Sequence, residues 1–115
     1  MSPRALNKRI EDLLSCARNI QDFTSGMSFD LFLSDPITIR AVAFELITMG
    51  EAVRAIPKEV QDKNPEVPWA KMLGIRNVLV HEYFCLDEEI LWKTCQDDIP
   101  VLIETLEKIG AFLNH

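Results

Sequence analysis

Apolar residues recur every three or four positions along most of this chain, the period of a helix packed on one side. Leu6, Ile10, Leu13, Ala17 and Ile20 form the first such run, with charged residues between them. Ser2-Pro3 precedes it, a capping serine followed by a proline in the first turn. The spacing predicts a helix to about Phe23, ended by Gly26. Phe29, Leu31, Phe32 and Leu33 then make a compact apolar connector with room for one helical turn. Asp35-Pro36 repeats the start signal and opens a helix to about Ile56. Its apolar residues follow two lines, Ile37/Ala41/Phe44/Thr48 and Ile39/Val42/Leu46/Met49/Val53. A helix this broadly apolar is expected to be central, or to be covered on a second side by another subunit. Pro57 ends it, and the stretch to Pro68 reads as a polar connector. Pro68-Trp69 opens a further helix, expected to run to Phe84 or Cys85. Asp87, with Glu88 and Glu89 behind it, suits the positive end of the last helix. Ile90, Leu91 and Trp92 begin its buried face, Ile99, Leu102, Ile103, Leu106, Ile109 and Leu113 continue the apolar stripe, and the helix is expected to kink or restart at Pro100. The pattern predicts an all-α bundle of four main helices, with residues 1–115 as one domain.

Within the third main helix, the stretch Gly74 to Phe84 is strongly apolar yet carries Arg76, Asn77, His81 and Tyr83. Buried polar groups cost free energy unless they have a partner or a task. On a continuous helix at about 100° per residue, Trp69, Leu73, Arg76, Val80 and Tyr83 share one stripe. Ala70, Gly74, Asn77 and His81 share another, roughly 110° away. Asn77 and His81 are therefore neighbours one turn apart. Arg76 and His81 stand about 140° apart on the same geometry. They meet one substrate only if the long arginine reaches round or if two copies of the helix converge. The small residues Ala70 and Gly74 favour a close helix–helix contact there, including one between two subunits. Glu45 and Glu51 interrupt the apolar second helix; their plain reading is solvated carboxylates, and their sharper one is that one of them pairs with Arg76.

Composition narrows the chemistry. Hydrophobic residues are 48% and charged residues 26%, the balance of a globular protein. No apolar run is long enough to span a membrane, and Met1-Ser2-Pro3-Arg4 leads into the first amphipathic run without a signal-peptide core. Cys16, Cys85 and Cys95 are odd in number and widely spaced, which suits a reducing cytoplasm and offers no zinc cluster. The net charge of −6 builds no general nucleic-acid surface, so any such contact must be local or shared between subunits. The second histidine, His115, is terminal and is left out of the chemistry.

Arg76-Asn77-x-x-x-His81-x-Tyr83 resembles the signature of the HepT-like group of HEPN ribonucleases. The flanks match the same family in order: Met49-Gly50-Glu51-Ala52, Pro65-Glu66-Val67-Pro68-Trp69, Tyr83-Phe84, Asp87, Leu91-Trp92 and Ile99-Pro100. Cys85 departs from it, standing where a glycine is common. The resemblance implies a HEPN-like homodimer and a metal-independent endoribonuclease without cofactor, the toxin of a toxin–antitoxin pair. The RNA's own 2′-hydroxyl would attack the adjacent phosphate. His81 would move the proton, since an imidazole titrates near neutral pH. Arg76 would stabilise the phosphorane charge. Asn77 would orient His81 or donate to a phosphate oxygen. The implied partner is an MntA-like minimal nucleotidyltransferase antitoxin that adds AMP to Tyr83, placing a bulky anion in the cleft. Two other readings stand beside this one. One is a non-catalytic HEPN subunit that presents substrate or nucleotide to a nucleotidyltransferase. The other is a structural dimeric bundle in which Arg76 and His81 affect stability alone.

Overall fold

The Ser2 hydroxyl accepts a hydrogen bond from the Ala5 backbone N–H at 3.1 Å and Pro3 fills the first turn, so helix α1 runs from Pro3 to Thr24. The chain then turns through Gly26 at φ 74°, a left-handed conformation that suits glycine. These features belong to a computed structural model that describes residues 1–114; His115 lies outside the described residues. The apolar connector is a short helix, α2 (Phe29–Leu33), capped by Ser28. The Asp35 carboxylate caps α3 (Pro36–Arg54) by accepting from the Thr38 backbone N–H at 3.1 Å and its hydroxyl at 2.8 Å.

The stretch after Pro57 is more ordered than its polar composition predicts. It holds a short helix, α4 (Lys58–Lys63), and seats Val67 in the core. Side chains do the ordering: Gln61 donates to the Val53 and Ile56 carbonyls at the end of α3, and Trp69 Nε1 donates to the Asn64 carbonyl at 3.0 Å.

Helix α5 (Trp69–His81) stops earlier than the apolar pattern predicts. Glu82 leaves the helical region at φ −139°, ψ 43°, and Tyr83–Cys85 form a 3-10 turn. The break has a packing reason: it turns Tyr83 and Leu86 against the core and leaves Phe84 wholly in solvent. Tyr83 therefore does not continue the stripe of Arg76 and Val80.

Asp87 caps α6 (Glu88–Lys93), accepting from the Glu89 and Ile90 backbone N–H groups. The predicted kink is a widened π-helical turn, Thr94–Asp98, after which α7 (Ile99–Leu113) restarts with Pro100 in its first turn. Proline lacks the N–H that would continue the ladder and its ring crowds the preceding turn, so the helix widens just before it.

α3 packs against both α1 and α5, and α1 against α7. The core is continuous across these contacts and includes Ile10, Leu13 and Ile20 of α1, Val42, Met49 and Val53 of α3, and Leu102 and Leu106 of α7. Trp69 is buried, and Trp92 stacks obliquely on Phe32 with ring centres 5.2 Å apart. Among the described residues there is no strand, and no helix is long and apolar enough to cross a membrane.

Candidate functional site

α3 and α5 run antiparallel along a shared seam. At one end Gly50 lies against Arg76; at the other, Pro36, Ile39 and Arg40 border one small cavity with Tyr83, Phe84 and Leu86. A Cβ on Gly50 would collide with Cβ and Cγ of Arg76. Glycine at position 50 is what lets the two backbones approach and lays the arginine stem across α3.

The head of Arg76 is then fixed from both helices. Nη2 pairs with Glu51 Oε1 on α3, and Nη1 donates to Asn77 Oδ1 on α5 at 3.0 Å. Only 17% of the Arg76 side chain remains exposed, and Nε is buried without a partner among the described residues. A buried donor left unpaired carries a free-energy cost, so this arginine is held in place at some expense. Glu51 is half exposed and also lies 3.8 Å from Arg54 Nη1. Two guanidinium groups thus share one carboxylate, and this end of the seam is locally positive on a chain of net charge −6.

His81 ends α5, one turn beyond Asn77. It is exposed and makes no side-chain hydrogen bond or ion pair among the described residues. The arrangement therefore offers a rigid guanidinium and a free imidazole on successive turns, with Asn77 between them. The hydrogen bond turns the Arg76 head toward Asn77, which shares a stripe of the helix with His81. Tyr83 is half buried, meets Phe84 edge-on with ring centres 5.9 Å apart, and leaves its hydroxyl without a hydrogen bond among the described residues.

Of the two glutamates singled out in the sequence, Glu51 reaches Arg76 and Glu45 does not. Glu45 accepts from Asn19 Nδ2 at 3.3 Å and belongs to the α1–α3 contact. Its hydrogen bond and charge add to burial in pushing the Cys16 thiol up to about 12. Within one protomer the stripe of small residues makes no close helix contact at Gly74. Gly74 meets nothing within 4 Å and opens onto an apolar groove of about 570 Å³ between α5 and α6, which does not include Arg76 or His81. The tight glycine contact is at Gly50 instead. A signal for it exists in the sequence: glycine inside a helix costs about 1 kcal/mol relative to alanine, so its presence there points to close packing.

Comparison with known proteins now decides the family. Residues 13–109 match the family model described as Ribonuclease HepT-like. The chain belongs to the HepT-like ribonuclease family. It is 39% identical over 100 residues to "Probable ribonuclease HepT" of Thermococcus cleftensis, which spans 87% of this chain and 91% of that protein. It is 35% identical over 107 residues to a Methanocaldococcus jannaschii protein named "Putative RNase", covering 93% and 98% of the two chains. No solved structure matches it. In this HepT-like chain, Arg76, Asn77 and His81 stand at the C-terminal half of α5, beside Glu51 of α3.

Proposed function

We propose that this HepT-like protein is an endoribonuclease that cleaves RNA without a metal ion, and that Arg76 and His81 carry the reaction. The observation behind this reading is the fixed guanidinium of Arg76, clamped by Glu51 and Asn77, with an exposed and unbonded His81 one turn beyond Asn77. In the reaction the ribose 2′-hydroxyl loses its proton and its oxygen bonds to the adjacent phosphorus. The bond from phosphorus to the 5′-oxygen breaks, and that oxygen takes up a proton. The products are a 2′,3′-cyclic phosphate and a 5′-hydroxyl. Arg76 neutralises the extra charge on the phosphorane oxygens with donors that need no reorganisation. Asn77 holds Arg76 through Oδ1, which leaves its amide N–H groups for a phosphate oxygen.

The chemistry needs one group to remove a proton and another to deliver one. One copy of the motif has one histidine, so two copies facing each other supply both. Regulation follows the toxin–antitoxin reading, with a minimal nucleotidyltransferase adding AMP to Tyr83. The unbonded Tyr83 hydroxyl, two residues from His81, supports that assignment. The acidic surface favours the second reading, a non-catalytic subunit that serves a nucleotidyltransferase.

Purified protein incubated with RNA in EDTA separates these readings. Cleavage that His81→Ala reduces by about 10²- to 10⁴-fold fits general acid–base work by this residue. Cleavage that requires added magnesium refutes the metal-independent reaction. Protein that binds a nucleotidyltransferase but never cleaves RNA is the accessory subunit. Incubation with the nucleotidyltransferase and ATP should add AMP mass to wild type and not to Tyr83→Phe.

A further inference from the structure

Ion pairing uses most of the positive side chains in this protein. Among the described residues only Arg4, Arg40, Lys58 and Lys63 have no carboxylate partner. Of these, Arg40 lines the cavity at the far end of the α3–α5 seam, about 280 Å³ in volume, together with Tyr83 and Phe84. Phe84 is 100% exposed, the extreme case among the large apolar side chains here. Its ring projects from the 3-10 turn that begins two residues after His81. Glu88 borders the same cavity without an ion pair to Arg40, so the guanidinium N–H donors are not taken up by a carboxylate.

An unpaired arginine beside a solvent-exposed aromatic ring is the combination that holds single-stranded nucleic acid. The cation takes a backbone phosphate and the ring stacks on a base. The placement relative to the cleavage centre also fits. Arg40 is ten residues before Gly50, the contact point of Arg76, which is about 15 Å along α3 at 1.5 Å per residue. A strand with its scissile phosphate at Arg76 and His81 can follow the seam to reach Arg40.

We infer that Arg40 and Phe84 form a second RNA subsite, in which Arg40 binds a phosphate flanking the scissile one and Phe84 stacks on a nearby base. This rests on the ribonuclease reading and extends it. The subsite holds the strand in place and does not touch the reacting atoms, so it acts on substrate affinity. It also gives a net-acidic chain a local nucleic-acid contact that Arg76 alone does not provide.

The test uses the full chain with His81→Ala as parent and a fluorescein-labelled single-stranded RNA, with anisotropy read across a salt series. Phe84→Ala should weaken binding by about 5- to 150-fold, the range for loss of one base stack, and Phe84→Trp should restore it. Arg40→Ala should lower the slope of log affinity against log salt by about 0.7, one phosphate contact, and Arg40→Lys should restore the slope. In the cleaving protein both alanine changes should raise KM and leave kcat nearly unchanged. Sedimentation of each variant reports assembly. If the parent binds RNA and both alanine variants bind it equally well, the subsite is refuted and the ribonuclease reading stands. If Phe84→Ala breaks the dimer while Arg40→Ala leaves the salt slope unchanged, Phe84 belongs to a protein interface and the subsite is again refuted. A wild type that cleaves no RNA, with a parent that binds none, refutes both.

Discussion

Two of the three long seams of this bundle, α1–α7 and α3–α5, are built on opposite principles. Where α1 meets α7, the contact is filled by Ile10, Leu13, Leu102 and Leu106, and its polar pair, Arg18 with Glu107 at 3.2 Å, sits out in solvent. Where α3 meets α5, a glycine admits an arginine between the helices, a donor is left unpaired, and the surface beyond carries exposed apolar and aromatic groups. The first seam spends its contacts on burial. The second accepts a less favourable arrangement to hold one cation in a fixed place. The difference separates a contact that serves stability from one that holds a charged group in a fixed place.

Breaking the first seam should have the largest effect. Leu106 is fully buried, and Leu106→Ala should cost about 2–5 kcal/mol, a large share of the stability of a protein this size. Denaturant unfolding should register the loss, while RNA cleavage per folded molecule stays near wild type. A loss of cleavage without a loss of stability would erase the distinction between the seams.

Gly50→Ala tests the second seam. The new methyl group would meet Cβ and Cγ of Arg76, atoms too close to the backbone to move aside freely. Overpacking of this kind costs about 1–3 kcal/mol, and RNA cleavage should fall further than that loss predicts, because Arg76 itself is displaced. Equal activity in Gly50→Ala would show that the position of Arg76 is unimportant.

Glu51→Gln removes the charge that holds Arg76 and keeps the shape. Because the carboxylate is 48% exposed, solvent screens the pair, and the cost should be about 1 kcal/mol or less, well below that of a buried pair. Cleavage kinetics should fall while the melting temperature barely moves. Glu45→Gln, on the α1–α3 contact, should leave cleavage unchanged.

The smallest effect belongs to the cap at the start of α3, on the α3–α5 side of the comparison. Hydrogen bonds from the Thr38 backbone N–H and hydroxyl hold the Asp35 carboxyl below its ordinary value. A carboxyl depressed on folding adds stability above its unfolded pKa of about 3.9 and loses it as pH falls through the lower folded value. Melting curves should show this acid-limb loss in wild type, and Asp35→Asn should flatten it.

Much of this contrast is legible in the sequence, and the limits are physical. Ser2-Pro3, Asp35-Pro36 and Asp87 each announce a helix start because capping chemistry is local. The run Gly74 to Phe84 draws attention because polar groups in an apolar stretch need partners. The end of α5 is not legible, because nothing local distinguishes Glu82 from a helical glutamate; the break is set by where Tyr83 and Leu86 must pack. The choice between Glu45 and Glu51 is hidden for the same reason. Each lies on the same helix, and only the packing of α1 on one side and α5 on the other decides which carboxylate meets Asn19 and which meets Arg76. The chemistry of Gly50 is visible only once its neighbour across the seam is known.

The early end of α5 leaves Tyr83 on a short turn, half shielded and two residues after His81, and it is the protein's single tyrosine. Signals specific to a phenol, such as phenolate absorbance or nitration of the ring, therefore come from one spot in the molecule. The protein carries its own reporter just beyond the end of α5, two residues after His81.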